Sequence, residues 1–285
     1  MSSACPDRRR VGAAAVVLAA LLATPFALAE RTLRVCAEPD NLPLSDAHEA
    51  GFENRIARVV ADELKATLVY EWQPQRRGFV RKTIGADLCD VWIGVPAGLE
   101  RLLTTRPYYR SAYVFLNRAD ARVPLTSFAD PRLPRLRIGV QLIGDDLAAS
   151  PPGLALARAG ATEGVVGYPV WGERSAAERI SADLAAGRLD AALVWGPQAG
   201  YFTDHAPVRL AATRAVAPAG FELPFEFAIA IGVKKGDANL RGELDAALER
   251  RASDVDAILD AFHVPRLAAA ATTTASLASP PERRR

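Results

Sequence analysis

Residue types that do covalent or metal chemistry are present in this chain, but their spacing does not assemble a reaction centre. His48, His205 and His263 fall in three unlike settings, without the short intervals that hold a metal ion. Ser45 and Ser111 lack the strained turn that exposes a nucleophile. No glycine-rich dinucleotide fingerprint follows a strand, and the carboxylates form no convincing acid–base pair. Cys36 and Cys89 have no partnered histidine. The expectation is therefore a protein without catalysis, metal or cofactor. What remains is equipment for recognition. Trp171, Trp195, Tyr108 and Tyr109 combine broad apolar area with a single polar handle.

These residues sit in a regular alternation of elements. Residues 32–36, 67–72 and 88–95 read as strands, separated by a helix over 51–64 and a short one over 78–85. The helix is signalled by Phe52, Ile56, Val59, Val60 and Leu64 at helical intervals. The rhythm then repeats: strands at 136–140, 165–168 and 189–195, with helices over 144–159 (interrupted at Pro151-Pro152) and 176–186. Both third strands open on similar phrases, Ala86-Asp87-Leu88-Cys89-Asp90-Val91 and Ala186-Gly187-Arg188-Leu189-Asp190-Ala191. Strand–helix succession of this kind predicts largely parallel sheets covered on both faces. Two α/β lobes are expected rather than one long sheet. Residues 113–116 cross to the second lobe and 225–233 return, with helices over 240–250 and 255–262 closing the chain. Two crossing strands make a hinge. The expected division is 30–115 with 222–267 for lobe one and 116–221 for lobe two.

The beginning of the chain reads as an export signal. Arg8-Arg9-Arg10 precede an uncharged, Ala-rich stretch over residues 11–27, and Ala27-Leu28-Ala29 supplies small residues for cleavage. The apolar run is too short to span a membrane, and no cysteine stands at the cleavage point for a lipid. Residues 1–29 are thus expected to be a signal peptide, leaving a periplasmic protein with no stable membrane anchor. Its loss removes Arg8, Arg9, Arg10 and Asp7, so 32 basic and 32 acidic residues remain. Net neutrality argues against a nucleic-acid partner. Residues 268–285, rich in Thr, Ala, Ser and Pro, are expected to be a disordered tail. Cys5 leaves with the leader. In an oxidising compartment, Cys36 and Cys89 can bridge if their strands are neighbours, or remain as buried thiols.

The chain resembles the type II periplasmic solute-binding proteins. Asp90-Val91-Trp92-Ile93-Gly94 followed by Arg106-Pro107-Tyr108-Tyr109-Arg110-Ser111 is similar to their end of lobe one and the start of the crossover. Residues 187–191 and 227–237 resemble the matching parts of lobe two and the return strand. More narrowly, the chain is similar to the XoxJ/MoxJ group of periplasmic proteins associated with methanol dehydrogenase. The phrases are RVCA at 34–37 with NLP at 41–43, WQPQRRGF at 72–79, GVPAG at 94–98, TTRPYYRS at 104–111, IGVQLIGDD at 138–146 and VWGPQAGY at 194–201. The resemblance implies a two-lobed α/β fold of mixed, mostly parallel sheets with a two-strand hinge. It also implies a protein that assists a pyrroloquinoline-quinone (PQQ) alcohol dehydrogenase.

Amino-acid-binding proteins of this kind grip the cargo carboxylate with an Arg some nine residues before the Pro of the Pro-Tyr motif. Here that place is Gly98, with Arg101 three positions later. The ammonium is gripped by an Asp whose place here is Trp195. Both charged clamps are missing, and a zwitterion entering a partly dry cleft needs them. The expected cleft is instead large and aromatic, suited to a flat or apolar body or an inserted protein segment. Its candidate lining is Asp40, Asn41, Arg76, Arg77, Pro96, Tyr108, Tyr109, Gln141, Ile143, Gly144, Trp171 and Trp195. Bland readings stand beside these. Tyr108 and Tyr109 could pack the crossover, Trp195 could be core, and Asp40 and Asn41 could form a turn. Asp145 and Asp146 could complement a helix terminus rather than leave it free for an anion. Arg76, Arg77, Arg81 and Lys82 form a basic patch that is either a solvated face or a docking patch for an acidic partner.

The expected function is a non-enzymatic accessory role toward a PQQ methanol dehydrogenase of the lanthanide-using kind. That enzyme's cytochrome c and a small molecule are further candidate partners. The alternative is a transport receptor for a small periplasmic ligand other than a standard amino acid.

Overall fold

The computed structural model describes residues 30–268 apart from 77, 144–147 and 173. The expected signal peptide, Arg77, Gly144, Asp145, Asp146 and the tail from residue 269 lie outside the described residues.

Strand β1 (Thr32–Ala37) leads into a small ribbon, β2 (Asp40–Asn41) and β3 (Ser45–Asp46), then helix α1 (Phe52–Glu63) and β4 (Thr67–Trp72). The four-residue α2 (Phe79–Lys82) and a 3-10 turn over Ile84–Ala86 precede β5 (Val91–Pro96), β6 (Leu103–Thr104) and the long β7 (Tyr109–Arg118). The second half contains β8 (Ile138–Ile143), β9 (Ala148–Ala149), α3 (Pro151–Arg158), β10 (Val165–Pro169) and α4 (Ala176–Ala185). It continues with β11 (Ala191–Trp195), α5 (Gly196–His205) and β12 (Leu210–Arg214). β13 (Glu226–Val233) returns, and α6 (Ala238–Arg250) and α7 (Ala252–Ala261) follow.

Local chemistry explains the main elements. Helix α1 turns Phe52, Ile56, Ala57, Val60 and Ala61 into one buried stripe. Ser175 caps α4 by accepting the Glu178 N–H at 3.1 Å, and Asp237 caps α6 through the Leu240 N–H at 3.0 Å. Pro151 and Pro152 were expected to break a helix; they begin α3 instead, because the first helical positions need no N–H partner. The expected strand over 88–95 begins only at Val91, so Cys89 lies just before it. Helix α5 and strand β12 carry no strong periodic signal and were not expected.

The two halves repeat down to their ion pairs. In lobe one the backbone N–H and guanidinium of Arg34 both reach Asp90, and the same guanidinium donates to the Asp87 carbonyl. In lobe two Arg137 does the same to Asp190 and the Gly187 carbonyl. Asp87 and Gly187 both adopt left-handed backbone, φ 59° and 68°, which turns those carbonyls toward the arginine. The repeated phrase is thus the corner where each helix hands over to the third strand.

Each lobe has its own parallel strands, β4-β1-β5 in one and β10-β8-β11 in the other. The lobes do not, however, have separate sheets. The hydrogen-bonded path runs β10-β8-β11-β7-β13-β5-β1-β4 without a break. The cause is the length of β7. Its first residues, Tyr109–Ala112, pair with β13, while Tyr113–Leu116 pair with β11. Ten residues at about 3.3 Å each reach across the whole joint. The cores remain distinct. Lobe one is built around Phe52, Ile56, Val60, Ile231 and Leu244, and α6 and α7 return to it. Lobe two is built around Phe115, Ile138, Leu156 and Leu193, with a second cluster around Ile180 and Leu184 on its other face.

A smaller cluster in lobe one surrounds the Cys36–Cys89 disulfide, whose Cα atoms lie 5.6 Å apart. The bond joins residues 53 apart in sequence, so its loss is expected to cost about 4 kcal/mol in unfolded-chain entropy. Urea unfolding of a Cys36→Ala/Cys89→Ala variant against the oxidised wild type measures this; equal stabilities would mean the bridge contributes nothing.

Candidate functional site

The carboxyl ends of the parallel strands in both lobes point toward the joint, the place where open α/β sheets put their binding loops. From lobe one come Glu38 after β1, the β2–β3 ribbon with Asn41, Gln73 to Arg76 after β4, and Pro96 at the end of β5. From lobe two come Gln141 and Ile143 on β8, Trp171 after β10, and Trp195 with the first turn of α5.

Two contacts between the lobes across this cleft stand out among the described residues. Gln198, in the first turn of α5, donates to the side-chain oxygen of Asn41 at 3.2 Å and accepts from the Gln141 amide at 2.8 Å. All three are buried, so this is a dry relay of neutral amides running from lobe one to lobe two. At the second place the Arg76 guanidinium lies over the Trp171 ring, 4.9 Å from its centroid. Beside the relay, two cavities of 240 and 360 Å³ share Leu42 and Glu178 as walls. The smaller is lined by Asp40, Asp46, His48 and Arg174 among others; the larger by Tyr201, Phe202 and Pro207.

The aromatic candidates are engaged mainly with one another. Trp195 packs edge-on against Tyr113 at 5.4 Å and Phe227 at 5.8 Å, both on the crossing strands. Its indole N–H donates to the Tyr109 hydroxyl. Tyr109 is buried in the lobe-one core with its ring edge toward Phe52. Tyr108 packs against the same core, with its hydroxyl sealed from solvent. These two tyrosines therefore serve the crossover, and Trp195 is a wedge at the hinge that touches both lobes' cores. Of the expected lining, Asp40, Asn41, Arg76, Gln141, Trp171 and Trp195 gather at the joint. Pro96 and Ile143 end their strands there, the latter exposed. The rings of Tyr108, Tyr109 and Trp195 are spent on hinge and core contacts, while Trp171 lies under the Arg76 guanidinium.

Two buried acids escaped the sequence reading. Glu38 is 2% exposed, and its carboxylate accepts the Gln75 N–H. Burial raises its pKa to about 7, with the Gln75 N–H and nearby Arg76 working in the opposite direction. Glu53, in the first turn of α1, is pushed to about 8 by burial alone. It fills the space that only a glycine leaves open. A Cβ on Gly94 would stand 1.9 Å from a Glu53 carboxyl oxygen, and Gly94 itself has φ 80°. Tyr108 and Tyr109 beside it ionise well above the ordinary range, from burial first; the next cause is the neighbouring Tyr109 for Tyr108 and the Glu53 charge for Tyr109. Glu38 had a usable signal, its place one residue past the first strand. Gln198 and Glu53 had none, since an amide or acid on a helix is ordinarily solvated.

Of the two positions compared with zwitterion clamps, Gly98 lies in the loop after β5, where its N–H donates to the Thr104 hydroxyl at 3.1 Å, and Trp195 lies in the hinge.

Comparison with known proteins fits this geometry. The curated protein MoxJ of Paracoccus denitrificans is 37% identical, over 92% of this chain and 98% of its own. The chain belongs to the MoxJ family. MoxJ of Methylorubrum extorquens is 34% identical over 83% of the chain. Among solved structures, the periplasmic binding protein XoxJ from Methylobacterium extorquens AM1 matches with a TM-score of 0.68 at 35% identity. It covers 84% of this chain and 100% of that one. MxaJ from Methlophaga aminisulfidivorans MPT gives 0.69 at 25% identity, covering 83% and 100%. An ancestral cationic amino acid solute-binding protein gives 0.64 at 18% identity, which speaks for the fold alone. No protein-family model matches. Family and fold make this a two-lobed periplasmic binding protein, not an enzyme.

The raised acids set the pH response. A carboxyl whose folded pKa exceeds its unfolded value holds its proton in the folded state. Stability is then full below about pH 4.5 and falls as pH rises through about 7 for Glu38 and about 8 for Glu53. Thermal unfolding should show a higher melting temperature at pH 5.5 than at pH 8.5. Glu53→Gln should recover on the order of 2 kcal/mol at pH 8.5 and little at pH 5.5; an unchanged pH slope would refute the assignment. Gln198→Leu strands two buried amides and should cost about 2 kcal/mol in urea unfolding.

Proposed function

We propose that this protein is a periplasmic accessory factor of a PQQ-dependent methanol dehydrogenase, of the lanthanide-using kind. The observation that carries the reading is the presence of Gly98 and Trp195 at the two positions compared with zwitterion clamps, together with a buried relay of neutral amides, Asn41, Gln198 and Gln141, that joins the lobes. At those two positions a zwitterion finds no counter-charge to offset its lost hydration. The joint can still bind a surface of matching shape. A protein that prefers one conformation of the dehydrogenase shifts its population toward that form without chemistry. The relatives named MoxJ, XoxJ and MxaJ support this assignment, and the dehydrogenase's cytochrome c is a further candidate partner. A second reading, a receptor for a small periplasmic solute, draws on the buried Glu38 carboxyl and on the 240 Å³ cavity lined by the following residues Pro39 and Asp40.

Calorimetry with purified dehydrogenase, with and without its quinone and metal, tests the first reading. Binding to at least one form is expected, and the standard amino acids should leave the melting temperature unchanged. A ligand at a hundred times its dissociation constant would stabilise the protein by about 2.7 kcal/mol. Saturable binding of an amino acid without affinity for the dehydrogenase would overturn the proposal.

A further inference from the structure

Helix α5 follows a lobe-two strand, and Ala199 packs it into a lobe-two core with Val194 and Leu210. Lobe one nevertheless grips the same helix. The Tyr201 ring stacks on Phe262 of lobe one, with centroids 5.8 Å apart. Phe262 opens a short segment after α7, residues 262–267, that lies along α5 as a strap. Its closest approach is at Gly200, where a Cβ would stand 2.0 Å from the His263 carbonyl oxygen and 3.1 Å from Pro265 Cδ. Gly196, one turn earlier on the same face, makes room for the same proline: a Cβ there would stand 3.0 Å from Pro265 Cγ.

The strap is pinned along its length. The N–H groups of His263 and Val264 donate to the carbonyls of Asp260 and Leu259 and so finish α7. His263 there has left-handed backbone, φ 53°, where glycine is the usual residue. Its side chain does what glycine could not: Nε2 lies 3.0 Å from the Asp204 carboxylate on α5. Val264 is buried in the lobe-one core, and Arg266 pairs back with Asp256 and Asp260 on α7. The Ser111 hydroxyl donates to the Pro265 carbonyl at 2.6 Å and the Leu267 N–H to the Arg110 carbonyl at 2.9 Å, which ties the strap to the first half of β7. Gln198, two residues from each glycine, faces nearly the opposite side of the helix and makes the amide bridge to Asn41. Lobe one therefore holds α5 from two sides.

We propose that residues 262–267 are a latch that fixes α5, and with it lobe two, to lobe one, so that the protein works as one rigid body and not as a hinged receptor that closes on its cargo. Rotation about the crossing strands would slide α5 beneath a strap that leaves no clearance at Gly200. It would also break the Asp204–His263 contact and the amide bridge together. Close-packed surfaces of this kind do not deform continuously. Whatever binds then meets a surface already set, and the cost of ordering the lobes does not fall on binding. The latch stands whichever partner the protein serves.

The test is the distance between the lobes in the full mature protein, by pulsed electron–electron double resonance with the native disulfide intact. Spin labels go on exposed helix positions, through Asn239→Cys in lobe one and Ala157→Cys in lobe two. The otherwise wild-type protein should give one narrow distance distribution. Gly200→Ala, a change that favours a helix by itself, should force α5 off the strap. It should widen the distribution about twofold or more, or add a second, longer distance. Ser111→Ala/His263→Gly removes two strap contacts yet keeps the end of α7, because glycine suits that backbone; the same widening is expected. A broad or two-distance distribution in the otherwise wild-type protein would overturn the latch. So would an unchanged, narrow distribution in Ser111→Ala/His263→Gly, which decides the matter if Gly200→Ala does not fold.

Discussion

The joint between the lobes is governed by one requirement: polar groups sealed from water must find partners. β7 and β13 bring two α/β halves into one hydrogen-bonded sheet, and the cleft is what remains at the ends of their parallel strands. Once that space is dry, Asn41, Gln198 and Gln141 satisfy one another across it. A relay of neutral amides costs little to bury when every link is made, whereas a half-made one is expensive. The same economy applies to the rings. Trp195, Tyr109, Tyr113 and Phe227 fill the hinge with edge contacts and one indole hydrogen bond, so the crossing strands are welded rather than loosely strung.

This changes the meaning of the missing clamps. In a receptor for amino acids, charged groups wait in the cleft and the cargo completes them. Here the corresponding positions are a loop glycine and a hinge tryptophan, and the polar residues between the lobes already have partners. At the rim of the cleft Arg76 of lobe one lies over the Trp171 ring of lobe two. Buried Glu38 and Glu53 add a further constraint. Both sit under the lobe-one side of the joint, and both favour their protonated forms below neutrality. The protein should be firmest in a mildly acidic medium.

Much of this was legible without coordinates. The doubled strand–helix rhythm, the helical stripe of α1 and the matched Asp90 and Asp190 phrases were plain, because local periodicity and short-range corners dictate them. Asn41, Gln141 and Trp195 were picked out from their places at strand ends, Trp171 as a loop tryptophan and Arg76 as part of a basic patch, and contacts join Asn41 with Gln141 through Gln198 and Arg76 with Trp171. Cys36 and Cys89 could be named as candidates for a bridge or for buried thiols, and the structure joins them. Less could be read where the deciding partner is distant. Gln198 became a central residue only because Asn41, 157 positions away in sequence, faces it. Glu53 became a buried acid only because Gly94 leaves it room.

By itself, then, the sequence determined the α/β class, the two repeated halves and the disulfide candidates. Each depends on residue type and spacing. Tertiary structure alone decided that one sheet runs through both lobes, that the tyrosines of the Pro-Tyr-Tyr motif belong to the crossover, and that the cleft amides pair with each other. Those outcomes depend on which side chains meet after the chain has crossed the hinge twice, and no local pattern encodes that distance.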